Sequence, residues 1–242
     1  MAKTAFELLQ NSKEKIRSNV CSGIPTLDAT ILWEQSSIHL VAIKSYIGQI
    51  AFACQVARET IKNSSGLVYF ASLEMTQKGI AQKIVSNELN EAQLSRIIVD
   101  DEVNLDALLE IDESQIELFI LDYFGSLQLT ENTFNNSSSF CRNAEIMQKI
   151  RNFAVQKKCA VLLISEMDPK ITLENTYQSS TPHSSKFFRY VDSCTYIFEK
   201  FSMEKARVLT FTKNENVKVP ELILDFDEEN CIFHELTSLL RS

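Results

Sequence analysis

Short apolar runs alternate with amphipathic segments along most of the chain. Runs that are apolar throughout are typical of strands in a parallel sheet, which is covered on both faces. Such runs predict strands at residues 38–43, 66–73, 96–99, 118–122, 160–165, 193–199, 206–213 and 220–226. Apolar residues at helical spacing predict helices at residues 5–17, 51–61, 76–89, 105–111 and 141–158.

This alternation predicts an α/β fold with a mostly parallel central sheet and helices on both faces. The last three predicted strands are separated only by turns, which favours antiparallel pairing at the C-terminal edge. Ligands of such sheets bind at the carboxyl ends of the strands. The segments of interest therefore follow Ile43, Leu73, Asp122 and Ser165.

Composition and charge narrow the function classes. The chain is 45% hydrophobic and 23% charged, as is ordinary for a soluble globular protein. Its net charge of -8 opposes tight non-specific binding to nucleic acid, which depends on phosphate neutralisation. The six cysteines form no C-x-x-C pair and are expected to be buried free thiols. Without a signal-peptide core or a membrane-spanning apolar run, the sequence predicts a cytoplasmic protein.

The segment after the first predicted strand, residues 43–50, stands where a phosphate-binding loop would. That loop follows the pattern G-x-x-x-x-G-K-[ST], and of its four marked positions only Gly48 matches. Gln49 replaces the lysine and brings no charge to the phosphates. Ile50 replaces the hydroxyl residue and offers no oxygen to Mg²⁺. Because phosphoryl transfer depends on these groups, we expect a rate lower by several orders of magnitude.

Six short segments, taken in order, extend the comparison beyond this loop. They are S-G-I-P-T-L-D (22–28), V-A-I-K-S-Y-I-G-Q-I (41–50), A-S-L-E-M (71–75), I-L-D-Y (120–123), L-I-S-E-M (163–167) and F-T-K-N-E-N (211–216). The series resembles the C-terminal motor domain of DnaB-type replicative helicases, with a degenerate Walker A motif. This resemblance implies a RecA-like three-layer sandwich over residues 19–242, preceded by an amphipathic helix at residues 1–18.

The resemblance also implies roles for single residues. Glu74 matches the family's catalytic glutamate, and Asp122 matches the Walker B aspartate that supports Mg²⁺ through its water shell. Lys213 matches one of two basic groups that the family inserts into a neighbour's ATP site, but Glu215 replaces the companion arginine. Glu166 replaces the sensor glutamine. Two such added carboxylates would oppose ATP binding, since unit charges ~4 Å apart interact by about 4 kcal/mol at intermediate dielectric.

In that family, the loops after the Walker B and sensor strands hold single-stranded DNA. Here residues 124–140 contain no lysine or arginine. The second loop brings Lys170 and Lys186, with Arg189 just beyond. We therefore expect DNA binding to be weak and salt-sensitive or absent. The N-terminal helix either packs on a neighbouring subunit, as in the family, or folds back on its own domain.

These observations predict a catalytically degenerate, helicase-like module that binds a partner protein in DNA replication or processing and requires no cofactor. One alternative is a nucleotide-dependent, DNA-binding ATPase that uses ATP and Mg²⁺, with Lys44 in place of the missing lysine. Another is a RecA-like ring or filament subunit that assembles without nucleotide. Neither zinc-ligand spacing nor a nucleophile elbow occurs in the sequence, so no metal site is predicted.

Overall fold

A computed structural model describes most of the chain. The described residues are 18–31, 33–44, 46–85, 88–102, 104–122, 139–167, 171–172, 190–200, 205–212 and 222–236. Only the backbone is described for residues 46–47, 139–143, 199–200 and 205–212. The predicted N-terminal helix lies outside this part of the chain. None of the described helices has the length and apolar character required to cross a membrane.

A single sheet of nine described strands organises the molecule, in the order β3-β2-β4-β5-β1-β6-β7-β8-β9. Strands β1 to β6 pair in parallel, and β6 to β9 pair antiparallel. The predicted mostly parallel sheet with an antiparallel C-terminal edge is therefore confirmed. The strands are β1 (Ile38–Ile43), β2 (Leu67–Ser72), β3 (Ile97–Asp100), β4 (Ile116–Asp122), β5 (Ala160–Glu166), β6 (Ser193–Lys200), β7 (Lys205–Thr212), β8 (Leu222–Asp227) and β9 (Ile232–Glu235).

Helices cover both faces of this sheet, which confirms the three-layer arrangement. They are α1 (Pro25–Ile31), α2 (Tyr46–Asn63), α3 (Gln77–Ile84), α4 (Glu91–Leu94), α5 (Leu105–Leu109) and α6 (Ser139–Lys157). One apolar core lies between the sheet and helices α1 to α3. A second core lies between the opposite face and helices α5 and α6. Continuous burial of β1 on both faces accounts for its uninterrupted apolar sequence.

Several elements differ from the predicted ones. Helix α2 begins at Tyr46, earlier than the predicted residue 51, and α3 ends at Ile84 rather than residue 89. Helices α1 and α4 and strand β9 were not predicted, because four to seven residues are too few to establish a period. Local hydrogen bonds define α4 instead, where the side chains of Asn90 and Gln93 each accept a hydrogen bond from the other's backbone N–H.

The 22–28 segment has a structural role in this fold. The Asp28 carboxylate accepts hydrogen bonds from the Ser22 backbone N–H at 2.7 Å and the Trp33 indole at 2.9 Å. The Cys21 thiol also donates to it, at 3.1 Å. Gly23 adopts a φ of 76°, a conformation that L side chains rarely take. The segment thus fixes the approach of the chain to α1, and its aspartate is bound within the fold.

The described cysteines are free, as predicted. Cys54, Cys159, Cys194 and Cys231 are buried, whereas Cys21 is half-buried. Burial raises the pKa of Cys54, Cys159 and Cys194 to about 12. These thiols therefore behave as small apolar groups of the core.

Candidate functional site

The carboxyl ends of four adjacent strands, β2, β4, β5 and β1, form the side of the sheet where a ligand was expected. We call this side the carboxyl edge. In the sheet register, Ser72 of β2 lies beside Asp122 of β4, and Ile43 of β1 lies beside Glu166 of β5. Glu74 follows β2 by two residues. Glu74, Asp122 and Glu166 therefore lie at the carboxyl edge of the sheet, as their places in the sequence predicted.

Asp122 is the buried acid of the carboxyl edge, with 2% of its surface exposed. No described residue donates a hydrogen bond to its carboxylate. Burial, together with the negative charge of nearby Glu74, raises its pKa to about 7. The carboxyl group is therefore close to half-protonated at neutral pH.

Glu74 lies on a turn that hydrogen bonds hold in place. The Leu73 backbone N–H donates to the Asp122 backbone carbonyl, which ties the turn to β4. The Met75 backbone N–H donates to the buried Ser72 hydroxyl at 3.2 Å. Glu74 itself is exposed. The turn presents this carboxylate to solvent just beyond the carboxyl end of β2.

Gln49, at the lysine position of the phosphate loop, is buried with 4% of its surface exposed. Its side-chain amide donates a hydrogen bond to the backbone carbonyl of Ile43 at 2.9 Å. The same carbonyl also accepts from the Met167 backbone N–H at 3.2 Å. The side chain thus turns back onto the end of β1 and binds a group of the loop itself. Sequence reasoning recognised the missing charge but did not foresee this internal bond.

The path of the chain between β1 and α2 also differs from the phosphate-loop pattern. Strand β1 ends at Ile43 and α2 begins at Tyr46, so two residues connect them. In the pattern, four residues separate the two glycines, and the backbone N–H groups of the loop surround the phosphates. Gly48 and Ile50 lie within the helix here and are buried. They are therefore not part of an exposed loop.

The charge of the carboxyl edge is unfavourable for a triphosphate. Its described carboxylates are Glu74, Asp122 and Glu166, and its described cation is Lys44, which is exposed and forms no ion pair with any described residue. No cluster of three or more histidine, cysteine or acidic side chains among the described residues is placed to hold a metal ion. The residues described here do not fit Mg²⁺-ATP as the helicase pattern would bind it.

His39 is fully buried in β1. Because the Ser37 hydroxyl donates its proton to the Glu34 carbonyl, the His39 Nε2–H donates to Ser37 Oγ at 2.6 Å. His39 Nδ1 accepts from the Ser193 hydroxyl at 2.8 Å. Burial lowers its pKa to about 3, so the ring is neutral. The histidine is therefore a packed structural residue that links β1 to β6.

The remaining predicted site residues lie outside the described part of the chain. These residues are Lys170, Lys186, Arg189, Lys213 and Glu215. Most of the first predicted DNA loop, residues 124–138, also lies outside it. The predicted correspondence of Lys213 and Glu215 to the groups inserted into a neighbour's ATP site, and the predicted DNA contacts, therefore remain predictions.

Two curated proteins resemble this chain in sequence. A probable replicative DNA helicase of Trieres chinensis is 23% identical over 199 residues, which cover 69% of this chain and 43% of the relative. A probable plasmid replicative DNA helicase of Chlamydia psittaci is 25% identical over 199 residues, covering 66% and 42%. The chain thus spans less than half the length of these relatives. No family model matches it.

Solved structures share the fold over nearly the whole chain. A solved ATPase domain has a TM-score of 0.69 at 17% identity, and the match covers 96% of this chain and 95% of that domain. A DnaB-like replicative helicase, solved in a study of its interactions with primase, has a TM-score of 0.69 at 18% identity and covers 96% and 67%. The RadB recombinase has a TM-score of 0.63 at 13% identity, covering 87% and 97%. The chain therefore has a RecA-like fold, it shares that fold with a DnaB-like replicative helicase, and its relatives in sequence are probable replicative DNA helicases.

Proposed function

We propose that this protein is a catalytically degenerate, DnaB-like helicase module that takes part in DNA replication or processing by binding a partner protein. It does not hydrolyse ATP at a significant rate. The relatives in sequence, which are replicative helicases, support the process. The DnaB-like helicase studied with primase supports a replication protein as the class of partner. The buried free cysteines are compatible with the cytoplasmic location that the proposal includes.

The observation that carries the proposal is the hydrogen bond from Gln49 to the Ile43 carbonyl. A phosphate-loop lysine acts by placing a full positive charge on the β- and γ-phosphates. Gln49 has no charge, and its donor is already bound to the backbone. Ile50 is buried and has no oxygen for Mg²⁺. Both groups on which phosphoryl transfer depends are therefore missing together.

The direct test is phosphate release by the purified chain with ATP and Mg²⁺, with and without single-stranded DNA. We expect no release above that of a Glu74→Gln variant, which lacks the carboxylate at the family's catalytic position. Calorimetric titration with ATP should show no binding in the micromolar range. Micromolar binding accompanied by turnover that Glu74→Gln abolishes would refute the proposal.

Restoring the lost groups tests whether the rest of the site is intact. The double variant Gln49→Lys, Ile50→Thr should regain measurable ATP affinity if the loop can still open around phosphate. The matched control is Gln49→Met with Ile50→Thr, which breaks the bond to Ile43 without adding charge. If neither variant binds ATP, the shorter connection between β1 and α2 has itself removed the phosphate site.

A second candidate is an ATPase in which Lys44 supplies the missing charge. Its support is that Lys44 is exposed at the end of β1 and forms no ion pair with a described residue. In this case Lys44→Ala would abolish ATP binding, whereas Lys78→Ala, on the exposed side of α3, would not. A nucleotide-independent ring or filament is the third candidate. Light scattering after size exclusion tests it, since a monomer at high concentration excludes such an assembly.

A further inference from the structure

The two lateral edges of the described sheet, which are its outermost strands, differ in the hydrogen bonds that their backbone groups form. Strands β3 and β9 are the outermost described strands. An edge strand presents unpaired N–H and C=O groups on which another strand can pair, and proteins usually cover or interrupt such an edge. Another chain can therefore pair only with the edge whose backbone groups are not already bound.

The edge at β9 is covered by side chains of helix α2. Gln55 accepts a hydrogen bond from the Phe233 backbone N–H at 2.7 Å and donates to the Phe233 carbonyl at 3.0 Å. Arg58 donates to the Cys231 carbonyl at 2.8 Å. The Phe233 ring stacks on Phe226, with ring centroids 4.4 Å apart. The outward backbone groups of Phe233 therefore cannot accept a further strand.

The edge at β3 has no such cover among the described residues. The Val68 backbone N–H donates to the Arg96 carbonyl at 3.0 Å, so the backbone groups of Arg96 face β2. Because these groups alternate in direction along a strand, those of Ile97 and Val99 point away from the sheet. No described residue forms a hydrogen bond with them. Ile97, Ile98 and Val99 are half-buried, so an added strand would find apolar contacts on both faces.

The segment of the chain that contains β3 is strongly acidic, although two of its carboxylates, Glu88 and Asp106, form ion pairs with Lys62 and Lys149. Residues 88–117 contain ten carboxylates and one basic residue, Arg96. This leaves 22 of the 32 carboxylates and 23 of the 24 basic residues for the rest of the chain, which is therefore nearly neutral. Arg96 donates to the carbonyls of Ser64, Gly66 and Ile61 and is bound within the fold. Asp101 and Glu102 are exposed directly after β3.

We propose that the β3 edge is a docking site for an extended, basic segment of a partner protein, which adds to the sheet as a tenth strand. Backbone hydrogen bonds to Ile97 and Val99 would supply the pairing, and lysine or arginine side chains would meet the surrounding carboxylates. The acidic surroundings oppose nucleic acid at this edge. The inference rests on the proposed function only for the existence of a protein partner, and it is independent of nucleotide.

A short fluorescein-labelled peptide of alternating lysine and valine is the probe, titrated into the full chain without ATP and followed by anisotropy. We expect saturable binding that weakens as salt rises. Backbone amide exchange at Ile97 and Val99, measured by NMR, should slow when the peptide binds. A peptide of alternating glutamate and valine should not bind. Equal binding of the two peptides would overturn the proposal.

The matched protein variant is Val99→Pro. Its N–H points away from β2, so proline removes no bond of the existing ladder but prevents a new strand from pairing. We expect peptide binding to weaken by about tenfold or more, and unchanged binding would contradict the proposal. Should this variant fail to fold, a peptide with N-methylated backbone amides gives the same test on the wild-type chain, because it cannot donate to the edge.

Charge and self-association are tested separately. Replacing Asp101 and Glu102 by lysine should weaken binding of the basic peptide and reduce its salt dependence. The control is the replacement of exposed Glu228 and Glu229, which lie beyond β8. If the chain instead self-associates, does not bind the peptide, and becomes monomeric in Val99→Pro, the occupant is a second copy and the basic-partner proposal is wrong. ATPase assays do not enter this test, so the failure of one proposal is distinguishable from that of the other.

Discussion

Replacing Asp122 by asparagine should reverse the pH dependence that this buried acid imposes on stability. In the native state its pKa is raised to about 7 by burial and by Glu74, whereas its ordinary value is 3.8. Between these values the native protein holds a proton that the unfolded chain has released. The free energy of unfolding therefore falls as pH rises from 3.8 towards 7 and changes little above that.

The size of the effect follows from the two pKa values. Each pH unit within this window costs about 1.4 kcal/mol of stability. Between about pH 5.5 and about pH 8, Asp122 therefore lowers the free energy of unfolding by about 2 kcal/mol. The Asp122→Asn variant has no proton to lose and should be free of this loss. At the higher pH, where the wild type buries an ionised carboxylate, the variant should be the more stable protein.

Urea denaturation of both proteins at the two pH values measures this difference, because every other titrating group cancels in the comparison. Glu74→Gln is the control, since it removes the smaller cause of the raised pKa and should reduce the pH dependence only in part. If wild type and Asp122→Asn lose the same stability between the two pH values, Asp122 is ionised throughout. The carboxylate would then have a cationic partner, and a nucleotide–metal site would regain support.

Three further substitutions test other parts of the fold. Burial lowers the native pKa of His39 from 6.5 to about 3. As the pH falls from about 7 to about 5, the free energy of unfolding of the wild type should therefore decrease by about 2 kcal/mol more than that of His39→Gln, as measured by urea denaturation. Lys158 is exposed after α6 and has a φ of 55°, which glycine adopts more readily than other residues. Lys158→Gly should therefore raise the protein's free energy of unfolding by about 1 kcal/mol in urea denaturation, whereas Lys158→Ala should not. Gln55→Leu should cost about 3 kcal/mol and promote aggregation through β9, as measured by thermal unfolding with light scattering.

The sequence predicted the central parallel strands well because these strands are buried on both faces. Strand β1 occupies the predicted residues 38–43, and β4 and β5 end within one residue of their predicted ends. The elements that were not predicted are held by tertiary contacts instead of by their own patterns. Strand β9 is four residues long and alternates poorly, yet Gln55 and β8 fix it in place. No local pattern around residue 232 contains that information.

The candidate site, like the fold, could be predicted from the sequence only in part. The positions of Glu74, Asp122 and Glu166 at the carboxyl edge follow from parallel topology, so the order of strands and helices was enough to predict them. The burial of Asp122 and the inward turn of Gln49 depend on neighbours that the sequence does not identify. A glutamine in place of lysine predicts lost charge. Its bond to the Ile43 carbonyl depends on where α2 begins, which periodicity placed five residues too late.

The positions that match the helicase segments and the positions that depart from them have different physical roles. Asp28 binds the Ser22 backbone and the Trp33 indole, and Ser72 holds the turn before α3, so either loss would leave buried donors without partners. Gln49 and Ile50 stand where the phosphate-loop pattern has the lysine that reaches the phosphates and the hydroxyl residue that binds Mg²⁺. A chain that needed the fold but not the nucleotide would keep the first group and lose the second. The retained buried acid at Asp122, which destabilises the native state at neutral pH, is the exception, and its pH dependence is the measurement that decides between a relic and a working site.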